Sequence, residues 1–226
     1  MKITRCEYDK RKNEIIKYMN AVKLLDAGTY SIQCVDILGQ SSSMQIDDEL
    51  SKILKANSFI LLYNLIESTI VNSIKAVSNS IQNDELTYEQ LSESIKRLWI
   101  KQEARKIREK NQSIELVQRI AETILNWEFL SLQVDSVSIS GNIDTQEIRK
   151  ITQQIGWEQS KDGRELVTIK NKRNNLAHGE YTFSDIGKEY SIKDLEELKN
   201  KTLLYLDDVL SKVETYIAEE RYKLKR

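Results

Sequence analysis

The chain contains no proline, and its 226 residues include only seven glycines, none of them between positions 40 and 140. Glycine and proline are the main helix breakers, so their scarcity disfavours many-stranded sheets and favours long helices. Cysteine is nearly missing. Cys6 and Cys34 alone cannot build a disulfide scaffold, which points to a reducing, cytoplasmic setting. Histidine occurs once, as His178. One histidine and two cysteines leave no zinc cluster, and no glycine-rich phosphate loop is present, so neither metal nor cofactor is expected. An excess of one charge is lacking too. Lys+Arg number 34 against 35 Asp+Glu, a net charge of -1, so any nucleic-acid surface has to be a local patch. The most apolar run, residues 59–66, falls short of the ~20 residues that span a bilayer. Met1-Lys2 leads into a charged segment without an apolar core, so neither a secretory leader nor a membrane partner is expected.

What is present suits a soluble protein with a core: 40% hydrophobic and 31% charged residues. The spacing of Ile15, Ile16, Met19, Val22 and Leu25 predicts a helix over 4–26. Residues 29–46 read as extended or briefly helical around Ile32–Ile37, with a loop at Gly39–Ser43. A long helix is predicted over 47–82, with Asp47, Asp48 and Glu49 at its positive end and an apolar middle. Thr87–Gln90 has the pattern of a capping box opening a helix through Leu91, Ile95, Leu98 and Trp99. A second amphipathic helix follows over Ser113–Asn126, with Ile114, Val117, Ile120, Ala121 and Ile124 inward. Alternation over Phe129–Ile139 suggests a small hairpin. Asp144–Glu147 caps a helix ending near Gly156, Gly163–His178 forms another, and residues 180–190 read as a loop. The last helix starts at Ser191–Asp194 and runs to about Tyr222, with Lys223, Lys225 and Arg226 at its negative end. The expected whole is one all-α domain over 1–226. It comprises an N-terminal helix and arm (1–45) and a helical core (46–226) with an inserted subregion around 85–160.

Two stretches carry chemistry. Arg97 and the basic run Lys101, Arg105, Lys106, Arg108 and Lys110 read either as a solvated face or as a phosphate contact, with Trp99 for stacking. The stretch Lys172-Arg173-Asn174-Asn175-Leu176-Ala177-His178-Gly179-Glu180 holds the single histidine. On a helix, Asn174 and His178 share a face, and Arg173 lies about 140° round from His178 with a side chain long enough to reach the same groove. Asn174 can orient the imidazole. A histidine can exchange a proton with a ribose 2′-hydroxyl or a leaving oxygen, and an arginine can stabilise charge developing on phosphorus oxygens. One histidine cannot easily make both proton transfers at once; a symmetric pair of motif helices would supply two. Against this stands a plainer reading, in which His178 only caps a helix. Ser-His-Asp catalysis stays open, although no nucleophile elbow is present.

The motif stretch closely resembles the HEPN superfamily (higher eukaryotes and prokaryotes nucleotide-binding). Its ribonuclease members carry an Arg, four to six residues and then a His, usually with a polar residue after the Arg. Here four residues separate Arg173 from His178, and Asn174 follows the Arg. Leu62–Thr69 is similar to the earlier core helix of a standalone bacterial subgroup, as is Ser140-Gly141-Asn142-Ile143-Asp144 before an Ile-Arg helix. The resemblance covers about residues 46–220. It implies a four- to five-helix bundle that dimerises through the motif helices, with metal-independent endoribonuclease activity as a toxin or anti-phage effector. By that analogy Arg173 and His178 are catalytic and Asn174 supports them. Glu67 stands as either a site contact or a structural ion-pair partner. Lys172, Arg97, Arg105 and Lys106 are the candidate RNA contacts, and the expected partners are RNA, a second copy, and an antitoxin or defence-system protein. The alternatives are a non-catalytic HEPN module that binds RNA, a nucleotide or a partner protein, and an antitoxin-like or structural helical protein.

Overall fold

The computed structural model describes residues 1–26, 31–35, 37–110, 113–133, 137 and 142–225. Among these the chain is all-α with one small hairpin. In order come α1 (Lys2–Asp26), β1 (Ser31–Val35), β2 (Ser41–Gln45), α2 (Asp48–Asn83), α3 (Glu93–Lys110), α4 (Ser113–Leu125), α5 (Thr145–Ile155), α6 (Arg164–Ala177), α7 (Phe183–Gly187) and α8 (Ile192–Ala218). The chain forms two compact units: Met1–Arg5 with Glu67–Asp162 and Tyr205–Arg226, and Cys6–Ile66 with Gly163–Leu204. The long helices α2 and α8 each pass from one unit into the other.

In the unit that holds the motif, α1 buries Tyr8, Ile15, Met19 and Val22. Polar bonds fix its position. The Tyr8 hydroxyl donates to Leu203 O (3.2 Å), the Tyr18 hydroxyl to Leu54 O (2.6 Å) and Ser51 Oγ to Asp26 (2.8 Å). The first half of α2 supplies Phe59, Leu62, Tyr63, Leu65 and Ile66, all essentially without solvent exposure, as expected for a helix apolar nearly all round. The loop predicted over 180–190 contains α7. Its cap is a reciprocal pair: Asp185 N donates to Thr182 Oγ1 (3.1 Å) and Thr182 N to Asp185 (3.3 Å). The same device starts α8 at Ser191 and Asp194.

In the other unit, Ile70, Ile74, Val77 and Ile81 of α2 are buried, as are Ile95 and Leu98 of α3, Ile148, Ile151 and Ile155 of α5, and Leu206, Val209 and Val213 of α8. Asp144 caps α5 by accepting from Gln146 N (2.9 Å) and Glu147 N (3.0 Å), and Gly156 ends it in the left-handed region. Several expectations are corrected here. The helix predicted from Thr87 through Ile95, Leu98 and Trp99 is present as α3 but starts only at Glu93; Thr87 opens a 3₁₀ turn, Tyr88–Gln90, after which Leu91 turns extended (φ −83°, ψ 152°) and bridges to Lys223. The last helix stops at Ala218 rather than near Tyr222, and the tail folds back along residues 90–92. Ser92 N donates to Tyr222 O and Leu224 N to Gln90 O, both at 2.8 Å. Lys223 therefore pairs with Asp84 (2.8 Å) and Glu220 (2.9 Å) instead of sitting on the end of the helix. Arg226 lies outside the described residues.

The hairpin is also elsewhere than predicted. It is built by β1 and β2, with Ser31 opposite Gln45 and Val35 opposite Ser41, so the expected loop at Ser41–Ser43 is strand. Residues 129–133 keep the predicted alternation, with Leu130 and Leu132 buried and Phe129 exposed, but have no partner strand among the described residues. Other partners satisfy their backbone instead: Leu130 N donates to Leu86 O (2.8 Å), Gln133 N to Gln102 Oε1 (2.7 Å), and Gln102 Nε2 to Ser131 O (3.2 Å). Most of the rest of that predicted hairpin, residues 134–136, 138 and 139, lies outside the described residues. In α4 the expected inward face is largely solvent-facing: Ile114 is 79% and Val117 59% exposed, and Ala121 is exposed too.

Candidate active site

α6 begins at Gly163 and turns Leu166, Ile169 and Leu176 into the core of its unit. That anchoring fixes the rotation of the helix and therefore where its polar residues point. The C-terminus is closed by three backbone bonds. His178 N donates to Asn174 O (2.9 Å), Gly179 N to Leu176 O (3.3 Å) and Glu180 N to Asn175 O (3.0 Å). Gly179 reverses the chain at φ 70°, and a Cβ there would meet nothing within 4 Å, so the requirement is purely one of backbone conformation. With its amide nitrogen facing the surrounding acceptors, Asn175 donates to Asn171 O (3.1 Å) and Glu180 Oε2 (3.2 Å), tying the turn to the helix. His178 is the C-cap residue and is solvent-exposed.

Arg173 is placed differently. It is half-buried, and its guanidinium carbon lies 3.5 Å from the centroid of the Tyr63 ring, which α2 buries completely. At that distance the planar cation stacks on the ring face, where the aromatic quadrupole attracts it. Stacking engages a face of the guanidinium, so its hydrogen bonds are made along the N–H edge. The neighbouring Lys172 uses a second aromatic. Its ammonium lies 5.6 Å from the Tyr190 ring centroid and is hydrogen-bonded to Glu189, and Tyr190 meets Phe59 edge-on at 4.8 Å. Burial opposes the Lys172 charge, but Glu189 and Tyr190 outweigh it and raise the pKa. Phe59 and Tyr63 are one helical turn apart on α2, so a single aromatic face underlies both cations.

Sequence reasoning therefore located Arg173, Asn174, Lys172 and His178 on one helix end but missed Tyr63. The available signal was the i, i+4 pair Phe59 and Tyr63 in the apolar middle of α2. Glu67, four residues beyond Tyr63, is half-buried and forms no ion pair among the described residues. A cavity of about 700 Å³ runs beside the first half of α6, but the carboxylates of Glu165, Glu189, Asp194 and Glu197 outnumber the cations Arg164 and Lys201 in its lining, and none of Arg173, Asn174 and His178 lines it. Such a lining repels phosphates. Among the described residues no group of three or more His, Cys, Asp or Glu side chains could hold a metal ion.

The second basic stretch is helical throughout, within α3. Arg97 is exposed and lines a groove, whereas Arg105 is half-buried. The side chain of Lys106 lies outside the described residues. Trp99 is only 5% exposed and meets Tyr88 edge-on at 5.7 Å, so its ring faces are not offered for base stacking.

A family model described as HEPN_MAE_28990-like HEPN matches residues 4–222. The matched span includes nearly all of α1, beyond the 46–220 over which the motif resemblance ran. No curated protein and no solved structure gives a match.

Proposed function

Because the chain belongs to the HEPN_MAE_28990-like HEPN family, a nuclease-like or RNA-related module, we propose that it is a metal-independent endoribonuclease whose catalytic groups are Arg173 and His178, with Asn174 in support. The observation that carries this reading is the division of labour at the end of α6: an arginine fixed against Tyr63 and, five residues later, an exposed histidine at the C-cap. In the reaction the 2′-oxygen attacks the adjacent phosphorus as its proton passes to a base, and the P–O5′ bond breaks as the leaving oxygen takes up a proton. The products are a 2′,3′-cyclic phosphate and a 5′-hydroxyl. The Arg173 guanidinium stabilises charge on the non-bridging oxygens. A second copy brings a second His178, so that one imidazole serves as base while the other serves as acid. The biological setting is a toxin or anti-phage effector in the cytoplasm, held by an antitoxin or defence-system partner.

End-group analysis tests the chemistry. RNA incubated with the protein in EDTA is expected to give fragments with 2′,3′-cyclic phosphate and 5′-hydroxyl ends. Fragments with 5′-phosphate ends, or cleavage abolished by EDTA, would contradict it.

A further inference from the structure

α3 and α5 enclose a groove of about 450 Å³ that lies in the unit without the Arg173–His178 motif. Its lining includes Glu93, Ser94, Arg97 and Lys101 from α3 and Lys150 and Gln154 from α5, and the Glu93 carboxylate is taken up by Lys96. On α3, positions 94, 97, 98 and 101 follow the i, i+3, i+4, i+7 spacing of one helical face, so Arg97 and Lys101 stand one turn apart along the groove wall. Other faces of the two helices bury Ile95, Ile148, Ile151 and Ile155, which holds the two walls in place.

The charge pattern sets this groove apart. Lys96 on α3 is neutralised by Glu93 (3.1 Å), and Lys150 meets Glu147 at 3.3 Å. Arg97 and Lys101, both exposed, form no ion pair among the described residues. In a chain of net charge -1, two unneutralised cations and a third from the facing helix converge on one cleft. Gln154 Oε1 is buried there without a hydrogen-bond partner among the described residues. A buried amide oxygen without a donor is costly, and a half-turn of the amide offers its –NH₂ group to an anion instead. Among the described residues no aromatic lines the groove, and Trp99 is covered, so the chemistry of the groove suits backbone phosphates rather than bases.

We infer that the α3/α5 groove binds the phosphodiester backbone of an RNA strand through Arg97, Lys101 and Lys150. The choice of RNA rests on the proposed ribonuclease reading; the phosphate chemistry rests on the groove itself. The groove holds a strand at a distance in sequence from the cleaving residues and supplies affinity without selecting sequence.

The test is binding of a fluorescein-labelled 2′-O-methyl RNA 20-mer, followed by anisotropy over a range of salt concentrations. The probe keeps every phosphate but has no 2′-hydroxyl to attack, so the wild-type protein can be used. The double variant Arg97→Gln/Lys101→Gln is expected to bind on the order of tenfold more weakly. The slope of log affinity against log salt is expected to fall by about 1.4, since each phosphate contact on a single strand contributes about 0.7. Lys10→Gln, at an exposed lysine paired with Glu7, serves as the control and is expected to change neither. A normally folded double variant with unchanged affinity and slope would overturn the inference, as would a wild type that does not bind the probe. Cleavage of unmodified RNA is scored separately. Unchanged binding by the double variant with normal cleavage removes the groove and leaves the ribonuclease reading. Lost binding by the double variant alongside full cleavage by His178→Ala removes that reading and leaves the groove.

Discussion

The Arg173 guanidinium rests 3.5 Å from the centre of the buried Tyr63 ring, so α2 sets the position of the arginine while α6 carries it. A stack of this kind contributes ~0.5–2 kcal/mol. Tyr63→Leu keeps the site apolar but removes the ring, and a roughly two- to thirtyfold loss in cleavage rate is expected. Tyr63→Phe retains the ring and is expected to stay within about twofold of wild type. The loss should fall on kcat rather than KM, since in the proposed mechanism the arginine stabilises charge that develops in the transition state. Equal rates for the Leu and Phe variants would show that the stack does not position Arg173.

Gly187 lies against the backbone of α2. A Cβ at that position would stand 1.9 Å from Lys52 O and 2.5 Å from its carbonyl carbon. A backbone carbonyl inside a helix cannot move aside, so α7 has to shift. Gly187→Ala is expected to cost roughly 1–3 kcal/mol and to lower Tm by several degrees. Thermal unfolding checks it, and an unchanged Tm would contradict the close approach.

Asp84 anchors the returning C-terminal tail. Lys223 and then Tyr222, whose hydroxyl donates at 2.8 Å, hold the Asp84 carboxyl below its usual range. A carboxyl depressed in the folded state contributes stability above its unfolded pKa of about 3.9, and that contribution is lost as pH falls through the lower folded value. The stability difference between wild type and Asp84→Asn is therefore expected to be constant at neutral pH and to shrink below about pH 4. Denaturant unfolding at several pH values measures it, and a difference that grew on acidification would contradict the sign.

The helices that place the site were legible because their signals are local. Glycine marks at 156, 163 and 179 and the acidic start of α2 are read within a few residues, and the structure follows them. Failures occurred where the answer depends on distant partners. Ser41–Ser43 has no strand pattern of its own and becomes β2 only by pairing with β1. The alternation at Leu130 and Leu132 correctly gave burial, but Gln102 and Leu86 O rather than a strand took up the backbone bonds. An amphipathic stripe says that an apolar face exists and not what covers it, which is why Ile114 and Val117 of α4 came out exposed. The same limit applied to the site. The order Arg173, Asn174, His178 was plain in the sequence, but that Arg173 stacks on Tyr63, 110 positions earlier, is a tertiary fact.

The most direct measurement is cleavage of total RNA and tRNA in EDTA by wild type and His178→Ala purified side by side. His178 is the exposed C-cap of α6, so its removal should leave the fold intact, as matching circular dichroism would verify. Cleavage by wild type alone, with a loss of about a hundredfold or more in the variant, is the expected result for a residue that transfers the proton. Equal cleavage by both proteins would contradict the assignment of His178 and with it the catalytic reading of the motif.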